Sequence, residues 1–183
     1  DIVRKGPVIK IKKIFVRDDS IFHALLPSGP EHKVLMGMPR EPTIYNAVSK
    51  VVDCHDVFMT QGGGSWLHGI VAINKNNEDD GRKAIEAAFE GHASMKHVWV
   101  VDSDINITNP QSVEWAMATR FQGDKDLVIK TGVKGSSLDP SSNPETRETV
   151  KVGFDCTIPL DREKADFIKP KPGMKVKLED YLD

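Results

Sequence analysis

Five short apolar runs, bounded by turn residues and separated by stretches of helical period, constrain this chain more than any other feature. DVFMT (56 to 60), WLHGIVAIN (66 to 74), HVWVV (97 to 101), DLVIK (126 to 130) and VKVGFDC (150 to 156) have strand length and strand composition. Between them, PTIYNAVSKVV (42 to 52) puts Ile44, Ala47, Val48, Val51 and Val52 on one helical face, with Pro42 suited to the first turn. Asp79 and Asp80 offer N-caps for a second helix whose face is Ala84, Ile85, Ala88 and Phe89, stopping at Gly91. Asn109 and Pro110 open a third, with Val113, Ala116, Met117 and Phe121 inward. Helices and strands interleave without strict βαβ alternation, which predicts an α/β (α+β) fold: a mixed β-sheet with helices packed on it.

Outside this block the signals weaken. VIKIKKIFV (8 to 16) alternates imperfectly between apolar residues and lysine, as an edge strand does. HALLPSGPEH (23 to 32) has two prolines and a glycine and predicts an ordered loop rather than a helix. Beyond Pro159 the composition turns to lysine, proline and acids, including KPKPG, and predicts an extended or partner-dependent tail.

Bulk composition narrows the function classes. A net charge of -2 lacks the basic footprint of a nucleic-acid binder. Cys54 and Cys156 lie far apart in no Cys-x-x-Cys pairing, which fits neither a zinc ribbon nor a disulfide framework and suits a reducing, cytoplasmic setting. No apolar run approaches the roughly 18 to 20 residues of a membrane span. The expectation is a single soluble unit. Its start at Asp1 reads as a processed or excised piece.

Several motifs carry possible chemistry. Asp102 and Asp104, one residue apart after a buried strand, could bridge a divalent ion and a nucleotide diphosphate, as in a nucleotide-sugar transferase. They could equally end the strand and turn the chain toward Asn109, because such side chains bond nearby backbone amides. GGGS (62 to 65) lacks the Gly-Lys-Ser/Thr ending of a P-loop and reads as a hinge between strands. KGSSLDPSS (134 to 142) is a long irregular segment of the kind that often serves function. His23, His32, His68 and His92 show no metal-ligand spacing, and Glu31 beside His32 forms a polar pair.

In order along the chain, IFHALLPSGPEHKVLMGMPREPTIYNAV, GGGSWLHGIVAI, GHASMKHVWVVDSDINI, VEWAMATRFQGDKDLVI and VKGSSLDPSS resemble the C-terminal portion of the UbiD family of decarboxylases. The resemblance implies a carboxy-lyase that removes or adds carboxylate on an unsaturated or aromatic acid using prenylated FMN, which a flavin prenyltransferase supplies. It also implies that the flavin, a divalent metal (Mn or Mg), potassium and a Glu-Arg-Glu catalytic set belong to a preceding split barrel. On this reading residues 1 to 17 are a remnant strand of that barrel, 18 to 160 the UbiD C-terminal domain and 161 to 183 a polar tail. The fragment alone then binds no cofactor, holds no catalytic residue and no metal, and is inactive.

The domain's implied part is one wall of the substrate pocket, together with homo-oligomerisation. Matched by position, the wall comprises Leu26 and Pro27 with Glu31 near them, His92 and Ser94, and Ser136 and Leu138, with Lys151 entering the last strand. Ser136, where relatives acting on aromatic acids carry bulky apolar residues, implies a smaller or more polar substrate. The wording of HALLPSGPEH and GGGSWLH is closer to archaeal-type members, some of which act on a phosphorylated aliphatic acid. In the family pattern Asp102 and Asp104 do not match the metal site. A stand-alone assembly or binding module is the other reading of the same fold.

Overall fold

The computed structural model describes residues 5 to 168 together with 177, 179 and 181. A five-stranded mixed sheet runs β1-β2-β3-β5-β4. Its centre is parallel: β2 (His68–Asn74) pairs with β3 (His97–Asp102), and β3 with β5 (Glu148–Cys156). Both edges are antiparallel, β1 (Asp53–Met59) on β2 and β4 (Leu127–Lys134) on β5. The helices are α1 (Pro30–Gly37), α2 (Glu41–Val48), α3 (Asp80–Gly91) and α4 (Pro110–Arg120).

The continuous apolar character of β2 and β3 follows from burial on both faces. Val71, Ile73, Val98 and Val100 point to one side, where Ile44 and Val48 of α2 and Ala84, Ile85, Ala88 and Phe89 of α3 cover them. Ile70, Ala72, Val101 and Cys156 point to the other, against Val113 and Ala116 of α4 and Ile105 and Ile107 before it. Each aliphatic side chain so buried contributes roughly 1.5 to 3 kcal/mol. Asn109 caps α4 as its sequence predicts, accepting from the Gln111 N–H at 3.0 Å. At α3 the cap differs. Asp79 makes no capping bond, and the buried Asp80 instead accepts from the Asn76 and Asn77 N–H groups, tying the preceding turn to the helix start.

Three expectations need correction. Residues 8 to 16 form no strand: Val8, Ile9, Ile11, Ile14 and Phe15 are exposed along a segment without regular secondary structure. Alternation alone fixes no strand, because a strand needs a neighbour to take up its N–H and C=O groups. Residues 23 to 32 are not wholly a loop, since α1 begins at Pro30 and takes in Glu31 and His32. Proline is favoured in the first helical turn, where its missing N–H costs nothing. Finally α2 stops at Val48, so Val51 lies outside the helix and is half exposed.

Of the tail, residues 164 to 167 form a single 3-10 turn, whereas KPKPG (169 to 173) and residues 1 to 4 lie outside the described residues. Cys54 and Cys156 are free and buried, and desolvation pushes their thiols up to about 11 and about 12. No helix among the described residues is long and apolar enough to cross a membrane.

Candidate functional site

Three segments precede the amino ends of β2, β3 and β5, and contacts between them build the candidate wall. The first is the turn after β1. The Gly63 and Ser65 N–H groups both donate to the Thr60 carbonyl, at 3.1 and 2.9 Å, and Gly64 takes φ 70°, a left-handed conformation that glycine adopts without a Cβ penalty. GGGS is therefore a strand connector, as its composition suggests, and its product is the placement of Trp66.

Trp66 joins the second segment to the third. His92, buried just past α3, donates its Nε2 proton to the Trp66 carbonyl at 3.0 Å, and the two rings stack edge-on at 4.5 Å. A carbonyl can only accept, so this bond fixes the ring's Nε2–H tautomer and leaves Nδ1 as an acceptor. Burial holds the imidazole below its ordinary pKa, aided by the nearby charges of Arg40 and Lys151 and opposed by the Trp66 carbonyl. His92 is thus neutral at neutral pH.

On its other side the Trp66 indole N–H donates to Ser136 Oγ at 3.1 Å. The same oxygen accepts from the Leu138 N–H, also at 3.1 Å. With both lone pairs engaged, the Ser136 hydroxyl proton is left to donate. The remainder of this segment hangs on Asp139, whose carboxylate accepts from Lys96 Nζ at 2.9 Å, from Thr149 Oγ1 at 3.1 Å and from the Ser141 N–H at 3.0 Å.

Lys151 anchors the second segment from below. Its ammonium donates to the Ala93 carbonyl at 2.6 Å and lies 5.2 Å from the centre of the Phe89 ring. Burial, and then the charge of Lys130, hold it below the ordinary lysine pKa.

The sequence-derived residues therefore divide. His92, Ser136 and Lys151 fall into one bonded cluster, with Ser94 half-buried in the same segment as His92 and Leu138, 54% exposed, beside Ser136. Leu26, Pro27 and Glu31 belong to a local network instead. There Gly29 donates to the Leu26 carbonyl at 3.0 Å, the Ser28 N–H donates to His32 Nδ1 at 2.8 Å, and Glu31 pairs with His23 at 3.0 Å.

Comparison with known proteins identifies the family. The family described as the 3-octaprenyl-4-hydroxybenzoate carboxy-lyase C-terminal domain matches residues 33 to 156. The chain belongs to this UbiD family. It is 54% identical over 172 residues to the anhydromevalonate phosphate decarboxylase of Methanocaldococcus jannaschii, covering 93% of this chain and 41% of that protein. With the anhydromevalonate phosphate decarboxylase of Methanosarcina mazei it shares 52% over 167 residues, 91% of this chain and 39% of the other. The UbiD-class enzyme HmfF from Pelotomaculum thermopropionicum, solved in complex with FMN, superposes with a TM-score of 0.75 at 41% identity, over 83% of this chain and 34% of that one. The chain thus spans about two fifths of the length of the curated relatives it matches.

Elsewhere in this UbiD domain Asp102 and Asp104 meet a partner that spacing did not reveal. Arg120, at the end of α4, donates through Nη1 to Asp102 at 2.7 Å and to Asp104 at 2.9 Å, and through Nη2 to Asp104 at 2.8 Å. Asp102 also accepts the Ile158 N–H at 2.8 Å. The oxygens a bridging cation would need are bound to a guanidinium. They border a cavity of about 540 Å³ at the carboxyl ends of β2 and β3, remote from the amino-end wall. Among the described residues no three of His, Cys, Asp and Glu converge in a group able to hold a metal.

Sequence reasoning passed over Trp66, Arg40, Asp139 and Arg120. Only Trp66 carried a usable signal. An indole N–H at the entry to a buried strand needs an acceptor, which invites the question of what supplies it.

Proposed function

We propose that this domain forms one wall of the substrate pocket in a UbiD-type carboxy-lyase that decarboxylates, reversibly, a phosphorylated unsaturated aliphatic acid. The observation that carries this reading is the 54% identity, across 93% of the chain, to an anhydromevalonate phosphate decarboxylase. The likeness to HmfF bound to FMN supports a flavin cofactor, taken here as prenylated FMN. That cofactor supplies the electron sink for loss of CO₂.

What the chain itself would contribute follows from its side chains. The neutral His92, the hydroxyl donor of Ser136 and the exposed aliphatic Leu138 make a wall that is polar at two points and apolar around them, the usual composition of a small-molecule site. Leu26, Pro27, Glu31 and Ser94 would extend it, and Lys151 would hold the 92 to 94 segment in place. Exclusion of water from the reacting carboxylate favours release of CO₂. Of the carboxylates at the wall, Asp139 is taken up by Lys96, Thr149 and Ser141 and Glu31 by His23, and neither is assigned the proton transfer. That step, with the divalent metal and potassium, falls to the remainder of the protein, assembled as a cytoplasmic homo-oligomer with cofactor from a flavin prenyltransferase.

The test is co-expression of the full-length protein with a flavin prenyltransferase, followed by incubation with anhydromevalonate phosphate. Release of CO₂ dependent on the flavin is the expected result. A flavin-loaded protein that leaves this acid intact would overturn the substrate assignment, and a protein that takes up no flavin would overturn the decarboxylase reading.

A further inference from the structure

Arg40 occupies an unusual position beside the wall. It ends the 3-10 turn between α1 and α2, is exposed, and lays its guanidinium 5.0 Å from the centre of the Trp66 ring. The indole beneath it is the one bonded to Ser136 and stacked edge-on against His92, which places the guanidinium on the same corner of the fold as both polar points of the wall. Among the described residues neither Arg40 nor Lys151 has a carboxylate partner. The Lys151 ammonium donates to a neutral carbonyl, and both cations act on His92.

A ring face takes up none of a guanidinium's N–H groups as hydrogen-bond donors, so an exposed Arg40 over Trp66 keeps a planar fork that matches the oxygens of a phosphate. Lys151, buried beneath Ala93, raises the positive potential of the same corner without reaching out of it. The corner thus holds two cations without a carboxylate partner among the described residues, one of them, Arg40, exposed.

We infer that Arg40, seated over Trp66, is the specificity residue that binds the phosphate group of the substrate. The inference rests on the decarboxylase reading above and adds to it a subsite and its ligand chemistry, a phosphate monoester. A phosphate seated there holds the far end of the acid while its carboxylate is turned toward the flavin side of the pocket. Binding at such a remote point orients the reacting end.

The test uses the full-length protein with Arg40→Met and Arg40→Lys. In the flavin-loaded enzyme Arg40→Met is expected to raise KM for the phosphorylated acid about 10- to 100-fold, with kcat changed far less, from loss of a charge-assisted pair. Arg40→Lys restores part of that loss. Calorimetry on flavin-free protein should show the same weakening for the phosphorylated acid and none for its dephosphorylated counterpart.

An unchanged KM, or equal weakening toward both acids, overturns the phosphate assignment while turnover by the wild type leaves the decarboxylase reading standing. If the wild type turns over neither acid, that reading fails. The calorimetric comparison still decides whether Arg40 holds phosphate.

Discussion

The Trp66 indole N–H donates to Ser136 Oγ across 70 positions of sequence. This bond ties the turn that follows β1 to the segment that precedes β5, two pieces that share no strand pairing. Removing only the donor isolates its effect. Trp66→Phe keeps an aromatic ring for His92 and Arg40 but leaves Ser136 Oγ with the Leu138 N–H alone, and is expected to lower unfolding free energy by about 1 kcal/mol. The more telling readout is amide hydrogen exchange. The Leu138 N–H, which also binds Ser136 Oγ, should exchange faster in the variant, whereas amides of the central β3 should change only in step with global stability. Equal acceleration at both would show that the bond does not specifically order the wall.

Asp139 gives the wall a pH dependence of definite sign. Burial pushes its carboxyl up, but bonds from Lys96 and Ser141 outweigh that and bring it down from 3.8 to about 2. A folded-state pKa below the unfolded one means the unfolded chain binds the proton more readily. The stabilisation is therefore complete above about pH 4 and is lost as pH falls toward 2. Denaturant unfolding of the wild type followed from pH 5 to pH 2 should show this loss. In Asp139→Asn the stability is expected to be lower at pH 5 and to fall less over the same interval. Parallel curves for the two proteins would remove Asp139 from the acid response.

How much of this was legible in the sequence depends on the range of the interaction concerned. The strands and the helices α2 to α4 could be read because their signals are local. HVWVV is apolar throughout because it is covered on two sides, and Asn109 precedes Pro110 because a helix start needs an acceptor. The order β1-β2-β3-β5-β4 could not be read, since nothing within β5 says that it pairs with β3 before β4. The alternation of residues 8 to 16 misled for the opposite reason, being a local pattern with no neighbour among the described residues to realise it. The candidate wall shows the same division. His92, Ser136 and Lys151 follow from the family resemblance, whereas Trp66, which connects two of them, carries in the sequence only the signal of a strand's first residue.

Arg120 offers the sharpest energetic prediction. Its side chain is fully buried and bonded to Asp102 and Asp104, with Asp102 itself mostly covered. Desolvation raises the Asp102 carboxyl despite the Ile158 N–H and the guanidinium, so its charged form depends on both partners. Arg120→Met removes the cation and leaves the Asp102 charge buried alone, a change expected to cost about 3 kcal/mol. Asp104 adds little to that figure, because at 58% exposure water can replace the guanidinium. Adding Asp102→Asn to Arg120→Met should recover part of the loss, since the stranded charge is then gone. Chemical denaturation of the two single variants and the double variant measures the coupling directly. Simple additivity would mean that the carboxylate and guanidinium are stabilised independently, and that Asp-x-Asp ends the strand without any help from α4.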